Sequence, residues 1–138
     1  LICDTGGIIS GLIANQPHQE ECLAAINGAD RLIVPPLVLC ELDYIVTKRH
    51  GDNVAGRVLA RLAEPEYEIA SFTTADLLAA IDVMGTYKDL NIGLTDASLV
   101  VLAKRYKTDE ILTLDQRHFR VMRGLDGRHF RLLPFDID

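Results

Sequence analysis

The chain has 138 residues, 49% of them hydrophobic and 25% charged, with ten Gly and five Pro, which is enough for one globular core without disulfide or metal staples. No run approaches the ~18 consecutive apolar residues of a membrane span, and no basic segment followed by an apolar stretch marks a secretory leader. A formal net charge of −6 argues against a surface that grips nucleic acid throughout. One domain over 1–138, in the cytoplasm, is the expectation.

In chain order, residues 1–3 (LIC) predict a short buried strand. Asp4-Thr5-Gly6-Gly7 reads as a turn before a short helix over 8–14. A second helix follows Pro17-His18 to about residue 29, with Cys22, Leu23 and Ile26 on one face. Residues 32–34 (LIV) predict the second strand. Pro36 suits the first turn of the next helix, where its missing N–H costs nothing. That helix is expected over 36–50 with Gly51 ending it, and another over 52–62 with Asp52 as its cap. Residues 67–72 (YEIASF) read as a strand; Thr73 or Thr74 caps a helix to Met84, and Gly85 stops it. A polar connection over 87–94 leads to Thr95, the expected cap of a helix in TDASLVVLAKRY. Strands over 110–114 (EILTL) and 130–133 (FRLL) complete the series. Short apolar strands separated by helices predict an α/β domain around a mainly parallel sheet. Cys3, Cys22 and Cys40 form no CxxC pair and are expected to be small buried hydrophobes.

Ligands of parallel α/β sheets gather at the carboxyl ends of the strands. Asp4 and Asp115 each follow a strand, and Asp96 stands in the first turn of a helix behind Thr95. Glu41 lies within the 36–50 helix, with Leu37, Val38 and Ile45 at helical spacing, and is expected on a largely apolar face. An acid turned toward a core needs a partner. A cation shared with other carboxylates is one such partner; Mg²⁺ and Mn²⁺ prefer oxygen ligands. Each acid also has an ordinary reading. Asp4 and Asp96 suit helix N-termini, Asp115 a turn, and Glu41 an ion pair. Their joint placement is what points to a metal site.

Thr5 is placed to orient a carboxylate or water, and Ser98 either faces the cleft or satisfies a local backbone group. Arg117 either grips phosphate or pairs with one of the acids. Asp43 and Asp89 read as solvated. His118 reads as packing beside Phe119 rather than as a phosphate contact, and no histidine is expected near Asp4 or Asp96. The charge is uneven: residues 1–103 hold six Lys/Arg against fourteen Asp/Glu, and residues 104–131 hold eight against four. A local basic tract of that kind can meet phosphates.

DTG at 4–6, PPLVLCEL with Glu41, LTDASLVVLAKR with Asp96 and ILTLDQRHF with Asp115 together resemble the PIN-domain ribonucleases. Within that family the chain is most similar to the VapC-type toxins of bacterial toxin–antitoxin pairs. The resemblance spans the chain, and its last two segments are the more specific. It implies a three-layer α/β/α sandwich with a central parallel sheet, and an acidic quartet of Asp4, Glu41, Asp96 and Asp115 that binds Mg²⁺ or Mn²⁺. It implies hydrolysis of RNA by metal-activated water, leaving 5′-phosphate and 3′-hydroxyl ends. It also implies a homodimer and a cognate VapB-type antitoxin, through which DNA is reached only indirectly. Many members carry Ser after DT; with Gly6 here, the hydroxyl must come from Thr5.

Val54, Val58, Leu59 and Leu62 form an apolar stripe that serves either a dimer or the chain's own core. A signalling receiver domain would need paired early acids, and a dehalogenase-like phosphatase a second Asp where Gly6 stands. A catalytically silent PIN-like binding module and a DNA-directed metal nuclease are the alternatives carried forward.

Overall fold

Short, largely apolar strands of two or three residues build the centre of the molecule. In the computed structural model, which describes residues 1–137, they form β1 (Ile2–Cys3), β2 (Leu32–Val34), β3 (Tyr67–Ile69), β4 (Glu110–Leu112) and β5 (Arg131–Leu133). The five strands lie in the order β3-β2-β1-β4-β5, and every pairing is parallel. Ile2 lies between Ile33 and Ile111, and Cys3 opposite Leu112. Ile2, Cys3, Ile111 and Leu112 are wholly buried, as a parallel sheet covered on both faces demands. Strands β2 and β3 extend to one side of β1, and β4 and β5 to the other. The strand order therefore reverses between β1 and β4, the place where such sheets bind ligands.

The helices are α1 (Thr5–Leu12), α2 (Gln19–Gly28), α3 (Pro36–His50), α4 (Asp52–Leu62), α5 (Thr74–Thr86), α6 (Leu94–Arg105) and α7 (Gln116–Phe119), with a single 3-10 turn at Lys88–Leu90. They flank the sheet as the outer layers of the expected α/β/α sandwich, packing in the successive pairs α1–α2, α3–α4 and α5–α6. No helix among the described residues is long and apolar enough to cross a membrane. In α6 the run from Ala97 to Ala103 is buried without interruption, so this helix, which carries Asp96, lies in the core.

Several local expectations are corrected. The Asp4–Gly7 segment is no turn: α1 starts at Thr5, with Asp4 as its N-cap. Gly7 serves packing, since a Cβ there would come within 2.6 Å of Leu112 Cγ and 2.8 Å of the Leu112 carbonyl oxygen. Gly85 does not stop α5, which runs on to Thr86; nothing lies near its missing Cβ, so the residue costs only its ~1 kcal/mol of helix propensity. Gly93 rather than Thr95 occupies the N-cap of α6, and Gly51 rather than Asp52 that of α4. The third and fourth strands stop at Ile69 and Leu112, short of Phe72 and Leu114, and β5 begins at Arg131 rather than Phe130. Helix α7 and the 3-10 turn were not expected. Cys3 and Cys22 are buried, but Cys40 is exposed. On α4, Val58 and Leu62 are buried, and Val54 and Leu59 pack against the core, so the apolar stripe is used largely within the chain.

Candidate metal centre

Asp4 leaves the end of β1 and caps α1, its Oδ1 accepting the Thr5 N–H at 2.8 Å. Its Oδ2 accepts from the Thr113 hydroxyl at 2.7 Å. Thr113 stands just past β4, wholly buried, and its Oγ1 also accepts the Asp115 N–H at 3.0 Å. One hydroxyl thus ties together the two acids that follow adjacent strands. Asp4 is only 7% exposed. Burial pushes its carboxyl up to about 7, the charges of Asp96 and Glu41 push the same way, and the Thr113 and Thr5 hydrogen bonds oppose them. Among the described residues no Lys or Arg pairs with it.

Asp96 stands in the first turn of α6. Its carboxyl is also raised, first by burial and then by the charges of Asp115 and Glu41, while His118 opposes the rise. Asp115 caps the single turn of α7, its Oδ1 accepting the His118 N–H at 3.0 Å. The His118 ring returns over the cap. Its Nδ1 lies 3.0 Å from Asp115 Oδ2 and 3.2 Å from Asp96 Oδ2. The expectation that no histidine neighbours Asp96, and that His118 merely packs beside Phe119, is therefore overturned. Asp115-x-x-His118 has the N-cap-to-N3 spacing of a capping box, the signal that could have found it. Thr113 was missed as well; its partner Asp4 lies 109 residues away in sequence.

Glu41 is exposed rather than turned to the core. The buried face of α3 is Val38, Leu42 and Val46, and Glu41 sits beside that stripe. The i±3 and i±4 neighbours of a residue do not separate a core face from its flank. Its charge nonetheless reaches both Asp4 and Asp96, so all four acids share one electrostatic neighbourhood.

Thr5 is 3% exposed, and its Oγ1 is buried without a hydrogen-bond partner among the described residues. Ser98 is wholly buried, but its hydroxyl donates to the Thr95 carbonyl at 2.6 Å; the local backbone, not the cleft, takes it. Arg117 is exposed and pairs with none of the four acids. Asp43 and Asp89 are exposed, as expected. Within the basic tract, Arg105, Arg120, Arg128 and Arg131 are paired with Asp76, Asp136, Asp126 and Glu110. The flank is thus less free for phosphate than the tract's composition suggests.

The donor set fits a divalent cation. Asp96, Asp115 and His118 each offer a ligand atom, all within 4.8 Å of one another. Two acids carry pKa values raised by burial and by neighbouring carboxylates, and the buried Thr5 hydroxyl next to Asp4 has no partner among the described residues. A cation would lower the first cost by favouring the ionised carboxylates.

Comparison with known proteins gives a consistent answer. Residues 1–125 match the PIN domain family. The chain is 39% identical over 137 residues to Ribonuclease VapC26 of Mycobacterium tuberculosis (strain ATCC 25618 / H37Rv), covering 97% of this chain and 100% of that one. Among solved structures it resembles VapC20 of Mycobacterium tuberculosis, a sarcin–ricin loop cleaving toxin, with a TM-score of 0.77 at 12% identity, covering 84% of this chain and 90% of that one. It also resembles a toxin–antitoxin complex from Klebsiella pneumoniae, with a TM-score of 0.65 at 18% identity, covering 89% and 92%. VapBC2 from Rickettsia felis, bound to a DNA fragment from its promoter, gives 0.67 at 16% identity, covering 95% and 96%. At these identities the structural likeness speaks for the fold.

Proposed function

The chain belongs to the PIN-domain family of metal-dependent nucleases, with a VapC protein as its relative, and from that premise we propose that it is an endoribonuclease acting as the toxin of a toxin–antitoxin pair. The observation that carries the reading is geometric: Asp96, Asp115 and His118 bring ligand atoms within 4.8 Å of one another, with the buried carboxyl of Asp4 near enough to feel the Asp96 charge.

Asp4, Glu41, Asp96 and Asp115 would hold Mg²⁺ or Mn²⁺, some directly and some through water. An ion bound there lowers the pKa of an attacking water and stabilises the leaving oxygen of a phosphodiester. Thr113 fixes Asp4 and the Asp115 loop relative to each other, so two ligands come from one rigid corner of the sheet. The Thr5 hydroxyl, buried next to Asp4 and without a partner among the described residues, would be the one to orient a carboxylate or a water held by the ion. One of the carboxylates accepts the water's proton. Arg117, exposed and in no ion pair among the described residues, is available to a substrate phosphate. The products carry 5′-phosphate and 3′-hydroxyl ends.

RNA is favoured as substrate by the name of the 39% identical relative, a ribonuclease. A VapB-type antitoxin is the proposed partner, since two of the similar structures are toxin–antitoxin assemblies. A basic side chain from that partner would meet the carboxylates as an ion does. The free protein is proposed to be a cytoplasmic homodimer that reaches DNA only through the antitoxin.

The deciding experiment incubates the purified protein with structured RNA and with DNA of the same sequence, in Mg²⁺ or Mn²⁺. RNA cleavage that stops in excess chelator and in Asp96→Asn is the expected result. Cleavage that continues in chelator overturns the metal mechanism. Binding without cleavage overturns the enzyme reading, and preferential cleavage of DNA overturns the substrate.

A further inference from the structure

His118 has no part in the acidic quartet, yet its Nδ1 lies 3.2 Å from Asp96 Oδ2 and 3.0 Å from Asp115 Oδ2. The reason is local. Asp115 spends Oδ1 on the His118 amide as the cap of α7, which leaves Oδ2 turned toward the centre. A residue at N3 reaches back toward its N-cap, so the imidazole comes over that same oxygen. Helix α6 brings Asp96 Oδ2 to the same ring nitrogen.

We propose that His118 is itself a ligand of the ion, through Nδ1, forming with Asp96 and Asp115 a mixed nitrogen–oxygen set that takes Mn²⁺ in preference to Mg²⁺. The proposal rests on the metal-nuclease reading above and adds to it the composition of the ligand set.

Adjacent ligands on an octahedral ion with bonds of ~2.1 Å are about 3.0 Å apart. The Nδ1 separations of 3.0 and 3.2 Å from the two carboxylate oxygens match that edge. Two of the three donor separations are therefore already those of adjacent ligands, and all three donor atoms lie within 4.8 Å of one another. As a hydrogen-bond donor alone, Nδ1 would offer a single proton to two carboxylate oxygens at once, leaving one of them poorly served. Mg²⁺ demands oxygen ligands and gives up water reluctantly. Imidazole is a softer donor, better accepted by first-row transition ions. Of the two ions the carboxylates suit, Mn²⁺ is the one that gains from the nitrogen.

The test is pulsed electron paramagnetic resonance of the intact protein loaded with Mn²⁺, together with calorimetric titration of Mn²⁺ and Mg²⁺. The spectrum of the unmodified protein should show coupling to a directly bound imidazole nitrogen. His118→Gln should abolish that coupling, distinguishing it from His18, His50 and His129. The same change should weaken Mn²⁺ binding by ~10–100-fold, on the scale seen when groups around a metal are removed, and Mg²⁺ binding by much less. His118→Asp, which returns an oxygen ligand, should recover Mn²⁺ affinity without the nitrogen signal and narrow the preference over Mg²⁺. Circular dichroism checks that each variant is folded, and loss of the nitrogen coupling in His118→Asp makes the assignment where His118→Gln does not fold. Bound Mn²⁺ with no nitrogen coupling, or coupling that survives in His118→Gln, overturns the role of His118 and leaves the metal nuclease standing. Failure of the unmodified protein to bind either ion at millimolar concentration overturns both.

Discussion

Asp4 and Asp76 make a controlled comparison within one molecule. Both are buried acids beside a helix N-terminus, 7% and 9% exposed. Each accepts one backbone N–H, from Thr5 and from Thr73, both at 2.8 Å. Each also accepts one threonine hydroxyl, Thr113 at 2.7 Å and Thr73 at 3.0 Å. What differs is the charge around them: Asp76 has a guanidinium beside it, and Asp4 has other acids. Arg105 pairs with Asp76 and holds its carboxyl below the usual range, whereas Asp4 has no such partner and is pushed up to about 7. Two neutral hydrogen bonds do not offset the burial of a carboxylate; a cation does. The chain supplies a permanent cation to the acid that holds α5 to α6. It supplies none to the acid at the sheet's switch point, and an exchangeable ion would fill that role.

The sharpest way to break this comparison is to remove the charge at Asp4. In metal-free protein the folded state keeps the Asp4 proton between about pH 4 and about 7, while the unfolded chain has released it. The folded state binds more protons there, so stability should fall as pH rises through that window, by at most about 4 kcal/mol. Asp4→Asn should flatten that fall and abolish metal-dependent cleavage together. Urea unfolding at a series of pH values, with and without Mn²⁺, reads the first effect. A profile as steep in the variant as in the original would show that another group is responsible.

A second change makes Asp76 resemble Asp4. Arg105→Gln leaves Asp76 buried without its cation and should cost about 2–3 kcal/mol, below the range for a fully buried pair because Arg105 is itself one-third exposed. The pH signature should change too. Asp76 now contributes stability that is present above the unfolded carboxylate range and lost on acidification. The variant should lose this contribution. Cleavage well below the melting temperature should be unaffected, since neither residue lies among the four acids; a matching loss of activity would place this ion pair inside the site's support.

The smallest change tests the neutral hydrogen bonds. Thr113→Val keeps the shape and deletes the hydroxyl shared by Asp4 and Asp115. It should cost about 1–2 kcal/mol, move the Asp4 midpoint further upward because a bond to the charged form is lost, and slow cleavage by ~10-fold. An unmoved midpoint in the pH–stability profile would mean that Thr113 does not set the charge state of Asp4.

Where a feature depends on neighbours a few residues apart, the sequence was sufficient. Helix α3 runs over the expected 36–50 because a proline at its first position and a glycine after its last are local signals. Thr73 caps α5 as expected, through a box completed three residues on. The strand series and the acids behind it were legible because burial imposes apolar runs, and because the ends of parallel strands collect ligands. Tertiary structure decided the rest. Gly6-Gly7 looked like a turn because glycine is a local signal for one; at Gly7 the residue instead answers to Leu112, across the sheet. Glu41 looked core-facing because neighbours three and four residues away do not reveal which flank of an apolar stripe a residue occupies. Thr113 meets Asp4 across 109 residues and His118 meets Asp96 across 22, and no local periodicity carries either distance. Asp4 and Asp115 follow strands as the chain's pattern requires; the flank that Glu41 occupies, and the groups that orient the acids, are properties of the packed molecule.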